Sequence, residues 1–314
     1  IKHKGKYMFL SKGANGSIEI SKLNNLYNEM KGEVNIALDS KRLPADILKG
    51  VIKNKLKPKN VGNVFVISFE GDKSASQTRG LRKEISAILL AAKKGDEVII
   101  TLNSSGGTVT GYGLGAAEIL RLKAQKIKVT VCIDEVAASG GYMMACVADR
   151  VVAAPLSMIG SIGVAMELPN FYNLFKKIGV DYLQLTSGEF KRTVSFGTEV
   201  KDENVKKLTE DLESIHALFK DHVKTNRPKV DIDTVSKGEV WSAIKAKELN
   251  LIDKLQTSED VIFNECSQKN VYLVKWNVPT SMMGKLSIAA QATCQGLVRS
   301  VISEIEMSTS KYRI

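Results

Sequence analysis

The sequence predicts an α/β fold, with a largely parallel sheet covered by helices and a helical extension at each end of the chain. Two observations support this prediction. Between residues 63 and 145, short apolar runs typical of buried strands alternate with helical patterns, as they do in parallel sheets. The 314 residues, of which 44% are hydrophobic and 25% charged, are also enough for one large domain with an ordinary core.

The first segment, residues 1–60, is predicted to be a basic, partly helical stalk or linker. Apolar residues recur at helical spacing at Leu23, Tyr27, Met30 and Val34, and a lysine-rich stretch follows them. The segment contains 13 Lys and Arg against 5 Asp and Glu, so it holds most of the net charge of +11. A basic segment can contact nucleic acid or an anionic membrane surface, or it can be simply a solvated tail. Because no nucleic-acid motif is present, we do not expect nucleic acid as a partner.

Residues 61–275 are predicted to form the main domain, and residues 276–314 a C-terminal amphipathic helix and tail. The main domain begins with strand 64–69, helix 77–94, strand 97–102, helix 112–123 and strand 128–133. A further helix is expected after Ser139, and a long amphipathic one at 202–225. The C-terminal stripe consists of Leu286, Ala290, Cys294, Leu297, Val301 and Ile305. It can dock on the domain, on another subunit or on a membrane surface.

The cysteines do not indicate a metal or disulfide protein. Cys132, Cys146, Cys266 and Cys294 are widely spaced and form no C-x-x-C motif or Cys/His cluster. Cys132 and Cys146 lie in apolar runs, so we expect them to be small core residues. We therefore expect no metal and no cofactor.

Ser139 lies in the run V-A-A-S-G-G-Y at residues 136–142, ahead of a helix-compatible apolar stretch. A serine at a turn from strand to helix can expose its hydroxyl beside converging backbone N–H groups, which is what a nucleophile needs. A helix N-cap explains a serine here equally well. The three histidines, His3, His216 and His222, are not in a glycine-rich or loop setting near Ser139. If Ser139 is a nucleophile, we expect its base not to be histidine.

Three further clusters contain residues suited to chemistry. Gly106 and Gly107 follow a strand, and such glycines either aim backbone N–H groups at a ligand or form a tight turn. Ser161 lies between glycines in G-S-I-G-V, a pattern that by itself favours a turn. Lys191 is one of 45 Lys and Arg, most of which are expected on the surface. In general, a lysine buried beside apolar groups and hydroxyls can lose its proton and act as a base.

Taken together and in order, these motifs resemble the signal peptide peptidase A family of serine proteases, and most closely its SohB branch. The resemblance covers residues 64–253. It rests on five motifs: N-S-S-G-G at 103–107, V-A-A-S-G-G-Y at 136–142, G-S-I-G-V at 160–164, S-G-E-F-K-R at 187–192 and G-E-V-W-S-A at 238–243. Where this family usually has proline before the paired glycines, the chain has Ser105.

The resemblance assigns a role to each candidate residue. Ser139 matches the nucleophile and Lys191 the general base of a Ser–Lys dyad. Ser161 matches the serine that orients the lysine amine. The backbone N–H groups of Gly107 and Gly140 match the oxyanion hole, with Gly106 shaping its turn.

The resemblance also implies a fold and a setting. The family fold is the crotonase-like (ClpP-type) spiral of ββα units. Members are anchored in the bacterial inner membrane by an upstream helix, which this chain, beginning at Ile1, does not include. They assemble into rings or domes and cleave hydrophobic peptides, including remnants of signal peptides. We therefore expect a membrane-associated serine endopeptidase that forms homo-oligomers.

Two other functions stay open at this point. A coenzyme A thioester enzyme on the crotonase fold would use the turn at Gly107, but it would have no use for a Ser139–Lys191 pair. A catalytically silent membrane scaffold would keep both residues in a blocked or misaligned arrangement.

Overall fold

The computed structural model describes residues 16–38, 62–188 and 190–278. The ten strands in this part are β1 (Ser17–Lys22), β2 (Asn63–Glu70), β3 (Glu97–Asn103), β4 (Lys128–Ile133), β5 (Val136–Ala138), β6 (Arg150–Ala153), β7 (Met158–Gly160), β8 (Val240–Ser242), β9 (Lys254–Leu255) and β10 (Asn270–Asn277). The nine helices in the same ranges are α1 (Leu23–Leu38), α2 (Thr78–Ala91), α3 (Val109–Ala124), α4 (Gly140–Ala145), α5 (Tyr172–Lys177), α6 (Asp202–Asn226), α7 (Ile232–Val235), α8 (Ala243–Glu248) and α9 (Ser258–Gln268).

The strands form two sheets. The larger has seven strands in the order β1-β10-β2-β3-β4-β6-β9, and every neighbouring pair is parallel except β1 with β10. The smaller has the order β5-β7-β8, with β5 and β7 parallel. The predicted α/β fold with a largely parallel sheet is therefore confirmed. The ββα spiral and the domain boundaries at residues 60 and 275 stay predictions.

Predicted helices agree with observed ones where the structure describes the chain. The pattern from Leu23 to Val34 lies on α1, and the amphipathic pattern at 202–225 lies on α6. The predicted C-terminal stripe from Leu286 to Ile305 lies outside the described residues. None of the described helices combines the length and the apolar composition that crossing a membrane requires.

Strand β2 shows why the central strands read as continuous apolar runs. Phe65, Ile67 and Phe69 point into a core shared with α2 and α3, whereas Val64 and Val66 point into a second core shared with α9. Because successive side chains of a strand point to opposite faces, a sheet covered on both faces needs apolar residues at every position. The expectation that Cys132 and Cys146 are core residues is confirmed, since both are fully buried.

The small sheet brings three chain segments to one place. Ala138, the last residue of β5, is paired with Gly160, the last residue of β7. A parallel bridge joins Ala137 to Ser104, which directly follows β3. Since the strands run parallel, the residues that follow their carboxyl ends lie side by side. Residues 104–107, Ser139 and Ser161 meet there.

Helix α1 is attached to the sheet through Asn24, whose side chain is almost fully buried. Its Nδ2 donates to the backbone oxygens of Cys266 and Lys269 at 2.8 and 2.9 Å, and its Oδ1 accepts from Val271 N at 2.8 Å. These three bonds tie α1 to the end of α9 and the start of β10.

We expect Asn24→Ala to lower the free energy of unfolding by about 2–3 kcal/mol, because it leaves three buried backbone groups without partners at roughly 1 kcal/mol each. Urea unfolding followed by tryptophan fluorescence measures this change. The matched control is Asn25→Ala, at an exposed position on the same helix turn, which should change stability by no more than about 0.5 kcal/mol. Equal stability of the two variants would contradict the assigned role of Asn24.

Candidate active site

Ser139 adopts a backbone conformation that is unusual for a residue with a side chain. Its φ is 51° and its ψ is −120°, at the junction between β5 and α4. A left-handed conformation of this kind costs roughly 1–3 kcal/mol and persists only where surrounding structure enforces it. In enzymes of the α/β-hydrolase fold, a strained turn between strand and helix exposes a nucleophilic serine.

The geometry of Ser139 differs from that of an ordinary helix cap. Ser139 occupies the N-cap position of α4, but its side chain makes no capping hydrogen bond. An N-cap serine normally has extended backbone angles and accepts a bond from the first helical turn. The Ser139 hydroxyl is half-buried and makes no hydrogen bond to a described residue. It is therefore free to react or to bind a ligand.

The turn at Gly106 and Gly107 packs directly against Ser139. Gly106 has a φ of 95°, and a Cβ at this position would lie 2.7 Å from the Ser139 Cβ and 2.8 Å from the Gly140 nitrogen. A Cβ at Gly107 would overlap the carbonyl group of Lys73. Both positions thus require glycine, one because of its backbone angle and its close approach, the other because of its close approach alone.

Two backbone N–H groups beside Ser139 lack hydrogen-bond partners among the described residues. They belong to Gly107, in the turn, and to Gly140, the first residue of α4. The first N–H groups of a helix have no partner within the helix and favour negative charge. The Gly106 N–H, in contrast, donates to Ser104 Oγ at 3.1 Å. Gly107 and Gly140 can therefore donate to an oxyanion, while Gly106 shapes the turn.

Ser161 lies next to Ser139 because β5 and β7 are paired. Ser139 N donates to Gly160 O at 2.8 Å, which joins the end of one strand to the residue before Ser161. Ser161 also has a left-handed backbone, with a φ of 52°, and its N–H donates to Glu239 O at 2.6 Å. The structure therefore brings these two predicted serines together.

Lys191 lies in a different environment. It belongs to the largely irregular chain between Ser161 and α6, and it is exposed. Its backbone N–H donates to Gly188 O at 3.2 Å, while its Nζ makes no hydrogen bond or ion pair with a described residue. The Ser–Lys dyad is not assembled in this arrangement of a single chain, so the role of Lys191 stays a prediction.

Two histidines come close to the site in a way that the sequence did not indicate. Both lie on α6: His216 Nε2 is 3.2 Å from Ile162 O, and His222 Nε2 is 3.0 Å from Met143 O. A carbonyl oxygen only accepts, so each Nε2 carries a proton and donates it. Neither ring is hydrogen-bonded to Ser139. Packing of α6 on α4, which sequence spacing does not encode, brings them there.

A cleft at this edge of the large sheet is lined by a thiol and several polar side chains. Cys132 lines a cleft of about 300 Å³ together with Glu70, Asn103, Asp134 and Glu135. Burial raises the pKa of the Cys132 thiol to about 12, which leaves it protonated and a poor nucleophile. In the described ranges, no three His, Cys, Asp or Glu side chains are arranged to hold a metal ion.

Two sequence profiles and several relatives with the same printed name indicate a peptidase family. The sequence profile of peptidase family S49 matches residues 121–272, and that of the peptidase family S49 N-terminal region matches residues 6–119. The chain is similar to the "Probable protease SohB" of Haemophilus influenzae, with 46% identity over 235 residues, or 75% of this chain and 67% of that protein.

Two relatives from Buchnera aphidicola carry the same printed name. The one from subspecies Schlechtendalia chinensis is 49% identical over 201 residues, which are 64% of this chain and 66% of that protein. The one from subspecies Acyrthosiphon pisum is 44% identical over 217 residues, which are 69% of this chain and 65% of that protein. The chain thus spans about two thirds of the length of these relatives.

Because Gly106 packs against Ser139, we expect a methyl group at position 106 to destabilise the protein. We expect Gly106→Ala to lower the free energy of unfolding by about 2–4 kcal/mol, through its left-handed backbone and its overlap with Ser139 and Gly140. The control is Gly113→Ala within α3, where a Cβ meets nothing within 4 Å. That variant should gain about 0.5–1 kcal/mol from helix propensity. Chemical unfolding of the two variants tests this, and a stable Gly106→Ala protein would contradict the packing.

Proposed function

The chain belongs to peptidase family S49, in its SohB branch, and we propose that it is a serine endopeptidase whose nucleophile is Ser139. One observation carries the proposal: the Ser139 hydroxyl, on a strained turn, has no hydrogen-bond partner among the described residues, and neither have the neighbouring N–H groups of Gly107 and Gly140. A nucleophile next to donors for the developing oxyanion is the arrangement that acyl transfer requires. A structural serine would not need it.

The proposed reaction has two halves. A base removes the proton of Ser139 Oγ as the oxygen attacks the peptide carbonyl carbon, and the carbonyl oxygen becomes an oxyanion held by Gly107 and Gly140. The intermediate collapses, the C–N bond breaks, and the base returns the proton to the leaving amine. Water then attacks the ester on Ser139 in the same manner and releases the acid.

The proposed base is Lys191, oriented by Ser161. Because Lys191 is exposed and makes no hydrogen bond to Ser139, its segment must move to act as the base, or the lysine must come from a neighbouring copy. Exposed apolar side chains on the same segment favour the neighbouring copy, since assembly would cover them. They include Met166, Leu168, Leu174, Ile178, Leu183, Leu185 and Phe190.

The proposed substrates are hydrophobic peptides, because the same apolar segment leads away from Ser161 and would line the approach to Ser139. We propose that the full-length protein is anchored in the bacterial inner membrane and forms a ring or dome of identical subunits. The basic residues before position 60 agree with this setting, since positive segments favour the cytoplasmic side of an anchor. The ββα spiral of the crotonase-like fold belongs to the same proposal.

The separation of Lys191 from Ser139 also favours one rival function, the catalytically silent scaffold. The two functions differ in the reactivity of Ser139. A peptidase should react with a serine-directed phosphonate probe at Ser139, as seen by a mass shift of that peptide, and a scaffold should not react.

We expect Ser139→Ala and Lys191→Met each to lower kcat/KM for an unstructured hydrophobic peptide by roughly 10³–10⁶-fold, because members of a catalytic unit act together. The matched control is Lys177→Met, another exposed lysine of the same segment, which should stay within about twofold of wild type. Undiminished cleavage by purified Lys191→Met would rule out the dyad.

A mixture of the two inactive variants shows whether Lys191 and Ser139 of one site come from the same subunit. If Lys191 comes from a neighbouring copy, reassembled mixtures of Ser139→Ala and Lys191→Met contain sites with both intact residues, and about a quarter of wild-type activity returns. If the dyad forms within one chain, no site in the mixture has both residues, and the mixture stays inactive.

A further inference from the structure

A chain of hydrogen bonds runs behind the turn that carries Gly107. The Gly106 N–H donates to Ser104 Oγ at 3.1 Å, and Ser104 Oγ is 2.5 Å from the hydroxyl of Tyr112. The Tyr112 hydroxyl in turn is 2.8 Å from the backbone oxygen of Asp72. Ser104 is 2% exposed and Tyr112 is completely buried, so water does not compete for these bonds.

The donors and acceptors fix the direction of every bond in this chain. Burial raises the pKa of Tyr112, so its hydroxyl keeps its proton. Since the Asp72 carbonyl can only accept, Tyr112 donates to it and must accept from Ser104. Ser104 has then used its single proton, and its oxygen accepts the Gly106 N–H. A buried phenol thus holds the Ser105–Gly106 peptide, the one directly before the peptide that carries the Gly107 N–H, at a fixed orientation.

Asp72, at which this series of hydrogen bonds ends, lies in a turn that its own side chain holds in place. The Asp72 carboxylate accepts from the backbone N–H groups of Ser74 and Ser76 at 3.0 and 2.9 Å, which closes a tight turn. The carbonyl of Lys73, the residue directly after Asp72, accepts from Thr108 N at 2.9 Å. The turn at Gly107 is therefore held from both sides by one loop.

The ring of Tyr112 touches the other side of the oxyanion site as well. A Cβ at Gly140 would overlap this ring, and one at Gly71 would overlap its hydroxyl. Phe69 packs edge-on against the ring, with 6.3 Å between centroids. One side chain thus lies against both segments that carry the unpaired N–H groups.

We propose that Tyr112 and Ser104 are positioning residues of the oxyanion hole, which orient the Gly107 N–H toward the carbonyl oxygen attacked by Ser139. The proposal rests on the proposed function of Ser139. Removing an oxyanion donor outright lowers kcat by roughly 10²–10³-fold, so loosening one should lower kcat by roughly 10–100-fold. KM should stay within about twofold, since the bond strengthens mainly in the transition state.

Tyr112→Phe and Ser104→Ala test this, with the double variant no slower than about the slower single variant because the two hydroxyls act in one chain. The matched control is Tyr142→Phe. Tyr142 is also completely buried and also donates to a backbone oxygen, that of Leu251 at 2.8 Å, but it takes no part in the turn. The Tyr142→Phe variant should lose about as much free energy of unfolding as Tyr112→Phe, but its kcat should stay within about twofold of wild type.

A second measurement tests the positioning role and does not require peptidase activity. Amide hydrogen exchange at residues 104–108 should be faster in Tyr112→Phe than in wild type, and unchanged in Tyr142→Phe. If the wild-type protein cleaves no peptide, the proposed function is wrong. The amide hydrogen exchange at residues 104–108 then tests by itself whether Tyr112 holds the turn. If wild type is active and Tyr112→Phe has wild-type kcat, or loses no more kcat than Tyr142→Phe, the positioning role is wrong while the peptidase stands.

Discussion

The left-handed backbone of Ser139 is the constraint on which the rest of the site depends. Ser139 N donates to Gly160 O, Ala138 N donates to Ser104 O at 3.0 Å, and Gly106 fills the space against the Ser139 Cβ where no side chain fits. The cost of the conformation, roughly 1–3 kcal/mol, is offset by the buried strands that these bonds join. As a result, the hydroxyl stands free beside the N–H groups of Gly107 and Gly140.

Much of the part of the site around Ser139 was predictable from the sequence, because it depends on the conformations of neighbouring residues. Glycine is the residue that tolerates a φ of 95° or a backbone contact, so Gly106 and Gly107 mark the turn in the sequence itself. The turn from strand to helix at Ser139 was predicted, but no strand was predicted before Ser161, and it is the parallel pairing of β5 with β7 that brings the two serines together. The sequence could not decide between a cap and a nucleophile at Ser139. That distinction depends on backbone angles and on an absent hydrogen bond.

The rest was not predictable, because it depends on packing between distant segments. The bond from Tyr112 to Asp72 spans 40 positions, and that from His216 to Ile162 spans 54, with no spacing rule to connect them. The position of Lys191 was not predictable for a related reason. Its segment contains no strand of either sheet and makes local aromatic contacts, such as that of Tyr182 with Phe196 at 4.9 Å. A motif identifies such a lysine without placing it.

The two halves of the proposed site therefore differ in how firmly they are built: the proposed oxyanion donors lie beside the buried Ser104 and Tyr112, whereas the proposed base, Lys191, lies on an exposed segment. The most direct test of Ser139 as the acylated residue is a crystal structure with a peptide boronate. We expect boron bonded to Ser139 Oγ, with one boronate oxygen within about 3 Å of both Gly107 N and Gly140 N. A boronate bound to another residue, or an oxygen turned away from both N–H groups, would contradict the proposed chemistry.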